Sequence, residues 1–178
     1  MRYNNNHGNL AFSIMSLEFK IRDWILAPEL VLRLESDIKP GMKVLDFGCG
    51  PGGFTTAAAK LVGPEGMVYA LDINPRAICA VEREKSRLGL DNIKTVFGNR
   101  MYDIPMECLD MVLLYDIIHD LPDSQKTLSL LHHLIKPGGI IYVRDNHLKE
   151  DMLLSKVISG GLYKFIEHNR SSYSFEKI

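Results

Sequence analysis

Residues 42–55 read MKVLDFGCGPGGFT. A short apolar run ends in an acid and then breaks into four glycines, Gly48, Gly50, Gly52 and Gly53. The pattern predicts a strand, a tight loop and a helix. Val44 and Leu45 suit a strand buried on both faces, and the glycines allow positive φ and close approach of backbone to a ligand. The helix expected over Phe54–Val62 would then direct its free N–H groups at whatever sits on the loop.

Gly48, Gly50 and Gly53 satisfy G-x-G-x-x-G, and Asp72 stands at the end of the next apolar run, where a ribose-binding acid belongs. Those residues alone suggest a nicotinamide cofactor. Asp46 argues against it, because a carboxylate at the mouth of the loop repels a pyrophosphate. Two like charges about 4 Å apart cost on the order of 4 kcal/mol at an effective dielectric near 20. The same carboxylate favours a ligand with cationic groups. S-adenosyl-L-methionine, with an ammonium and a sulfonium beside its ribose, meets that requirement.

Four stretches, VLDFGCGPGG, VYALDI, DMVLLYDIIHDLPD and LIKPGGIIYV, follow one another between residues 42 and 144. In order and spacing they resemble the class I S-adenosylmethionine-dependent methyltransferases. The resemblance implies that Asp46 lies near the methionine ammonium, that Asp72 binds the ribose hydroxyls and that Ile73 flanks the adenine. Many members carry Gly-Asp after the third strand; this chain has Gly98 and Asn99, and an amide can still bond the adenine amino group through its carbonyl oxygen. The expected donor-binding set is Asp46, Gly48, Cys49, Gly50, Gly52, Asp72, Ile73, Asn99 and Tyr115.

The chain has 178 residues, 46% apolar and 24% charged, enough for a substantial core and consistent with one domain: a helical lid over 1–40 and a cofactor-binding core over 41–178. The formal net charge of −1 offers no positive field to gather a polyanion, so nucleic acid is not an expected partner. Cys49, Cys79 and Cys108 lack disulfide or zinc spacing, which favours a reducing, cytoplasmic setting. The opening MRYNNNHGNL is too polar for a signal peptide, and no run approaches about 18 apolar residues, so no membrane partner is expected.

From Ser13, Ile14, Leu17, Ile21, Trp24 and Ile25 recur at helical spacing. A second helix is expected from Pro28, with Leu30, Val31, Leu34 and Ile38 on one face. Strands are expected at Met67–Ile73, Asn92–Phe97, Leu109–Tyr115 and Ile140–Arg144. The intervening helices start after Asn74 and near Pro122 or Asp123, the first with Ile78, Val81 and Leu88 inward. A helix over Lys149–Ser159 should turn Met152, Leu153, Val157 and Ile158 inward. Leu162–Glu167 and Tyr173–Lys177 read as a closing hairpin around His168–Ser172. Strand and helix alternate, which predicts an α/β doubly wound, Rossmann-like, mostly parallel sheet with helices on both faces and an antiparallel end. No repeat or linker interrupts the chain.

In such sheets ligands bind beyond the carboxyl ends of the strands at the switch point. Two segments converge there, Tyr115–Asp120 and Arg144–His147. Methyl transfer requires mainly alignment and exclusion of water, with a base only where the acceptor carries a proton. His119 is the expected base, since a histidine titrates near working pH, about 6.5 when unperturbed. His132 and His133 are adjacent on a helix and point apart, so both read as surface or packing residues. Asp116, Asp145 and Asn146 are oxygen ligands suited to magnesium, as in catechol-type O-methyltransferases, but Asp116 is one residue late for that pattern, and no metal is assigned. PGGF suggests an RNA ribose methyltransferase, which would need a lysine where Arg144 stands. The expected function is methyl transfer to a small-molecule acceptor. The rivals are a non-catalytic binder of the donor or its demethylated product, and a nicotinamide oxidoreductase. The acceptor's identity and the oligomeric state are not legible.

Overall fold

The computed structural model describes residues 27–98 and 100–178. The helix expected over residues 13–25, and Asn99, lie outside the described residues. The described strands are β1 Lys43–Phe47, β2 Met67–Asp72, β3 Ile93–Phe97, β4 Leu109–Tyr115, β5 Ile135–Arg144, β6 Tyr163–Asn169 and β7 Ser172–Lys177. The helices are α1 Pro28–Glu35, α2 Gly53–Val62, α3 Pro75–Leu88, α4 Ser124–Leu134 and α5 Glu150–Ile158.

The strands form one seven-stranded sheet in the order β3-β2-β1-β4-β5-β7-β6. The first five pair in parallel, and β7 lies antiparallel between β5 and β6. This is the doubly wound α/β arrangement with a reversed hairpin that the sequence predicts. The chain leaves β1 toward β2 on one side, while β4 lies on the other, so the switch point falls between β1 and β4.

Side chains alternate across each strand and build two apolar layers. Val44, Val68, Ala70, Met111, Leu113 and Tyr142 pack with α1 and α2 through Val31, Leu32, Phe54, Ala58 and Val62. Leu45, Leu71, Val112, Leu114, Ile141 and Val143 pack with α4 and α5 through Leu128, Leu131, Leu153 and Val157. Local signals set the joints. Asn74 caps α3 by accepting from Arg76 N at 3.0 Å, and Gly89 ends it in the left-handed region. Asn92 donates from Nδ2 to Ala59 O and Gly63 O, both at 2.8 Å, and so closes the last turn of α2.

Some faces and boundaries differ from expectation. In α1 the buried residues are Val31, Leu32 and Glu35, whereas Leu30 and Leu34 are exposed. A helix with so many apolar residues offers overlapping stripes, and periodicity alone does not choose between them. In α3 Ala77, Ala80 and Val81 are buried while Ile78 and Leu88 are only half-buried. In α5 Leu153 and Val157 face inward, but Met152 and Ile158 are exposed. Strand β5 begins at Ile135, opposite Leu109, and the register resumes only at Met111 and Ile140. Pro137 has no N–H to give a ladder, so it sits within the irregularity. The hairpin turn is tighter than expected, because Asn169 already pairs with Ser172 and Arg170 takes φ 53° between them.

Candidate active site at the carboxyl edge of the sheet

The loop after β1 folds back on β2. Gly48 N and Cys49 N both donate to Leu71 O, at 2.8 and 3.0 Å, and Gly52 N donates to Cys49 O at 3.0 Å. Gly50 N donates to Asp72 Oδ2 at 2.9 Å, while Asn74 N donates to Asp72 Oδ1 at 2.8 Å. One carboxylate therefore holds the glycine loop and the start of α3 together. Two glycines are required by space as well as by φ. A Cβ on Gly48, at φ 78°, would lie 2.8 Å from Ile117 Cγ1, and one on Gly52, at φ 90°, would lie 2.9 Å from Val81 Cγ2.

Asp46 is buried: it is 3% exposed, and Thr55 Oγ1 in the first turn of α2 donates to its Oδ2 at 2.5 Å. Cys49 is buried, and burial, with Asp46 and Asp72 adding to it, pushes its thiol far above the ordinary cysteine value. It is thus a packing element of the loop, with no reactive thiolate. Ile73 is 78% exposed just past β2, with Phe97 and Tyr102 also exposed nearby in the chain order of β3. A large apolar side chain left in solvent at a ligand-binding edge suits the flank of an aromatic base. Asn99 falls outside the described residues.

Beyond β4 and β5 the structure brings together a group that the sequence leaves scattered. His119 lies in a short 3₁₀ turn, Ile118–Asp120, and its Nδ1 stands 2.8 Å from Asp145 Oδ2. The same oxygen accepts from His119 N at 3.1 Å, and Asp145 Oδ1 accepts from His147 N at 3.0 Å. The Asp145 side chain is wholly buried and the His119 ring is 22% exposed. In the neutral tautomer that gives Nδ1–H to the carboxylate, Nε2 is the lone-pair atom; Asp120 Oδ1 stands 3.4 Å from it. The His147 ring tilts against His119 with centroids 4.3 Å apart. Asp116, at φ 52°, is turned so that its Oδ1 accepts from the side chain and backbone of Asn146, at 3.1 and 3.3 Å. Among the described residues no three histidine, cysteine or acidic side chains form a group able to hold a metal ion.

On the opposite face of the same edge lies a second polar cluster. Tyr115 is buried, its ring edge-on to Phe54 at 4.7 Å, and its hydroxyl has no hydrogen-bond partner. Burial raises its pKa, and Glu35 adds to this while Arg144 opposes it. Glu35 and Arg144 are themselves buried. Sequence reading missed Glu35, Thr55 and the pairing of Asp145 with His119, because each depends on contacts between distant segments. The Tyr115–Asp120 and Arg144–His147 segments were the only signal for that pairing.

No helix among the described residues is long and apolar enough to cross a membrane. The model of a family described as a methyltransferase domain matches residues 38–171. Demethylmenaquinone methyltransferase from Geobacillus stearothermophilus is 36% identical over 105 residues, 58% of this chain and 45% of that protein. The counterpart from Bacillus cytotoxicus is 34% identical over 105 residues, 58% of this chain and 44% of that protein. The chain thus spans less than half the length of these curated relatives. Among solved structures, a SAM-dependent methyltransferase from Aquifex aeolicus superposes with a TM-score of 0.71 at 22% identity, covering 84% of this chain and 88% of that one. An arsenic (III) S-adenosylmethionine methyltransferase from Chlamydomonas reinhardtii gives 0.61 at 20% identity, covering 78% and 63%. With a family match over most of its length and this fold around a pinned glycine loop, the chain belongs to the methyltransferase-domain family.

Proposed function

We propose that the chain binds S-adenosyl-L-methionine on the Gly48–Gly53 loop and transfers its methyl group to a small-molecule acceptor at the carboxyl ends of β4 and β5. The carrying observation is the Asp72 carboxylate fastened to Gly50 N beside the exposed Ile73, with the buried Asp46 carboxylate near the end of β1. These residues fit the donor. Asp72 uses two of its lone-pair sites on backbone amides and keeps others for ribose hydroxyls. Gly48 and Gly52 leave no room for a Cβ where the backbone curls. Asp46 favours a cationic amino-acid end over a pyrophosphate.

When bound, the donor supplies a methyl group on a sulfonium whose displacement leaves a neutral thioether. The protein's own tasks are then alignment, exclusion of water and, for a protonated acceptor, removal of one proton. His119 Nε2 takes that proton, and Asp145 holds the ring and stabilises the imidazolium that forms. The demethylmenaquinone methyltransferase relatives support a small-molecule acceptor. Three cysteines without disulfides support residence in a reducing compartment such as the cytoplasm.

Titration calorimetry with S-adenosylhomocysteine and with NAD tests the reading. S-adenosylhomocysteine should bind and NAD should not; tighter binding of NAD overturns the proposal.

A further inference from the structure

Glu35 ends α1, Tyr115 ends β4 and Arg144 ends β5. Their relative exposures are 5%, 8% and 8%. Glu35 Oε2, Tyr115 OH and Arg144 Nε are buried without a hydrogen-bond partner, and among the described residues no other buried side-chain nitrogen or oxygen lacks one. A buried polar atom left unmade is costly, and chains seldom keep one without a reason. Here three occur together: Tyr115 and Arg144 are register partners across β4 and β5, and Glu35, Arg144, Tyr142 and Asp46 all act electrostatically on the Tyr115 hydroxyl.

Their arrangement is held from outside the cluster. Ser171 Oγ donates to Glu35 Oε1 at 2.7 Å, and Ser172 Oγ donates to the Glu35 carbonyl at 3.3 Å, so the β6–β7 turn fixes the direction of the carboxylate. Glu35 Oε2 and Arg144 Nε carry opposite charge, yet they do not bond to each other. Among the described residues no group bonds to either atom.

We infer that Glu35, Tyr115 and Arg144 recognise the polar end of the methyl acceptor, a group that sets a hydrogen-bond-accepting oxygen beside an O–H or N–H, as in a hydroxy acid. Arg144 Nε–H can only donate and the Glu35 carboxylate can only accept, so the complementary ligand carries one acceptor and one donor; the Tyr115 hydroxyl serves either. Location assigns the cluster to the acceptor, Tyr115 included, although the sequence reading places Tyr115 in the expected donor-binding set. Asp72 and the glycine loop lie over β1 and β2, whereas Tyr115 and Arg144 lie across the switch point on β4 and β5. Arg144 and Asp145 are consecutive in an extended segment, so this cluster and the His119–Asp145 pair flank one edge from opposite faces. The inference rests on the methyl-transfer reading for the word acceptor, but not for the chemistry of the ligand.

Binding of lactate, salicylate, propionate, benzoate and phenol is measured by ligand-observed NMR, with and without S-adenosylhomocysteine. The hydroxy acids lactate and salicylate should bind at least about tenfold more tightly than propionate, benzoate and phenol, which leave one member of the cluster unpaired. Glu35→Gln and Arg144→Met should each shrink that preference to within about threefold while binding S-adenosylhomocysteine as the wild type does. Tyr115→Phe should keep or raise Tm, since it removes an unpaired hydroxyl; a lowered Tm would mean that the hydroxyl has a structural partner and would overturn its role. This variant and Glu35→Gln carry the test if Arg144→Met does not fold. No preference in the wild type, including no binding at all, or an unchanged preference in the variants, makes the cluster a site for ordered water only and overturns the inference. Loss of S-adenosylhomocysteine binding with the preference intact overturns the donor reading instead.

Discussion

The Asp72 carboxylate and the Gly50 amide meet at 2.9 Å across the gap between β2 and the glycine loop. The other Asp72 oxygen takes the amide of Asn74, which caps α3. One carboxylate therefore ties together the loop, the strand end and the helix start. A site whose donors are already aimed loses less entropy on binding than one that must order itself.

Asp72→Ala should weaken S-adenosylhomocysteine by roughly 1.5 to 3 kcal/mol, the scale of hydrogen bonds to a charged group. Calorimetry measures the affinity, and hydrogen exchange at Gly50 and Asn74 should speed up in the same variant. Unchanged affinity in a variant that melts normally would remove Asp72 from the donor site.

The contact between Gly48 and Ile117 predicts a difference between two glycine variants. Gly63 also has positive φ, 67°, but a Cβ there would meet nothing within 4 Å. Gly63→Ala should cost about 1–3 kcal/mol, because its φ of 67° and ψ of −177° define a backbone region that essentially only glycine adopts. Gly48→Ala should cost that amount and a further 1–3 kcal/mol or so for overpacking against Ile117. Urea denaturation gives both values, and adding Ile117→Ala should recover part of the excess. Equal costs would show that Ile117 does not seat against the loop.

Much of this was legible in the sequence, and the exceptions share one cause. The strand at Leu109–Tyr115 and the Asn74 and Gly89 boundaries of α3 follow from run length and cap chemistry, which are local. The inserted reversal of β7 follows from a closing hairpin on a parallel sheet. The buried face of α1 was not legible, because Leu30, Val31, Leu32 and Leu34 support two phases and only packing on α2 selects one. The bond from Thr55 to Asp46 was not legible, since nothing in the sequence shows that Thr55 turns back to it. Glu35 was invisible for the same reason: its partner Ser171 is 136 residues away.

Thiol chemistry separates the three cysteines. Cys79 is exposed, whereas Cys49 and Cys108 are buried, and burial is the first cause that raises both of their pKa values. A raised pKa leaves the thiol protonated at pH 8, where a thiolate is needed for alkylation. Brief iodoacetamide treatment of the folded protein at that pH should add one label, on Cys79, and denaturant should raise the count to three by mass spectrometry. Labelling of Cys49 in the folded state would mean that the glycine loop opens.

Asp145 holds His119 at two points. The carboxylate takes both the ring Nδ1 and the backbone amide of His119, so it fixes the orientation of the ring as well as its tautomer. If Nε2 takes the acceptor's proton, His119→Ala should lower kcat by roughly 100-fold or more while the affinity for S-adenosylhomocysteine stays within a few-fold. Asp145→Asn should lower kcat by a similar factor and leave KM nearly unchanged, because an amide cannot stabilise the imidazolium as a carboxylate does. A merely structural Asp145 would instead raise KM and lower Tm together, since its side chain also holds the His147 amide. The assay needs an acceptor that the wild-type protein methylates. On that acceptor, a His119→Ala enzyme as fast as the wild type would leave alignment and desolvation alone to account for the rate.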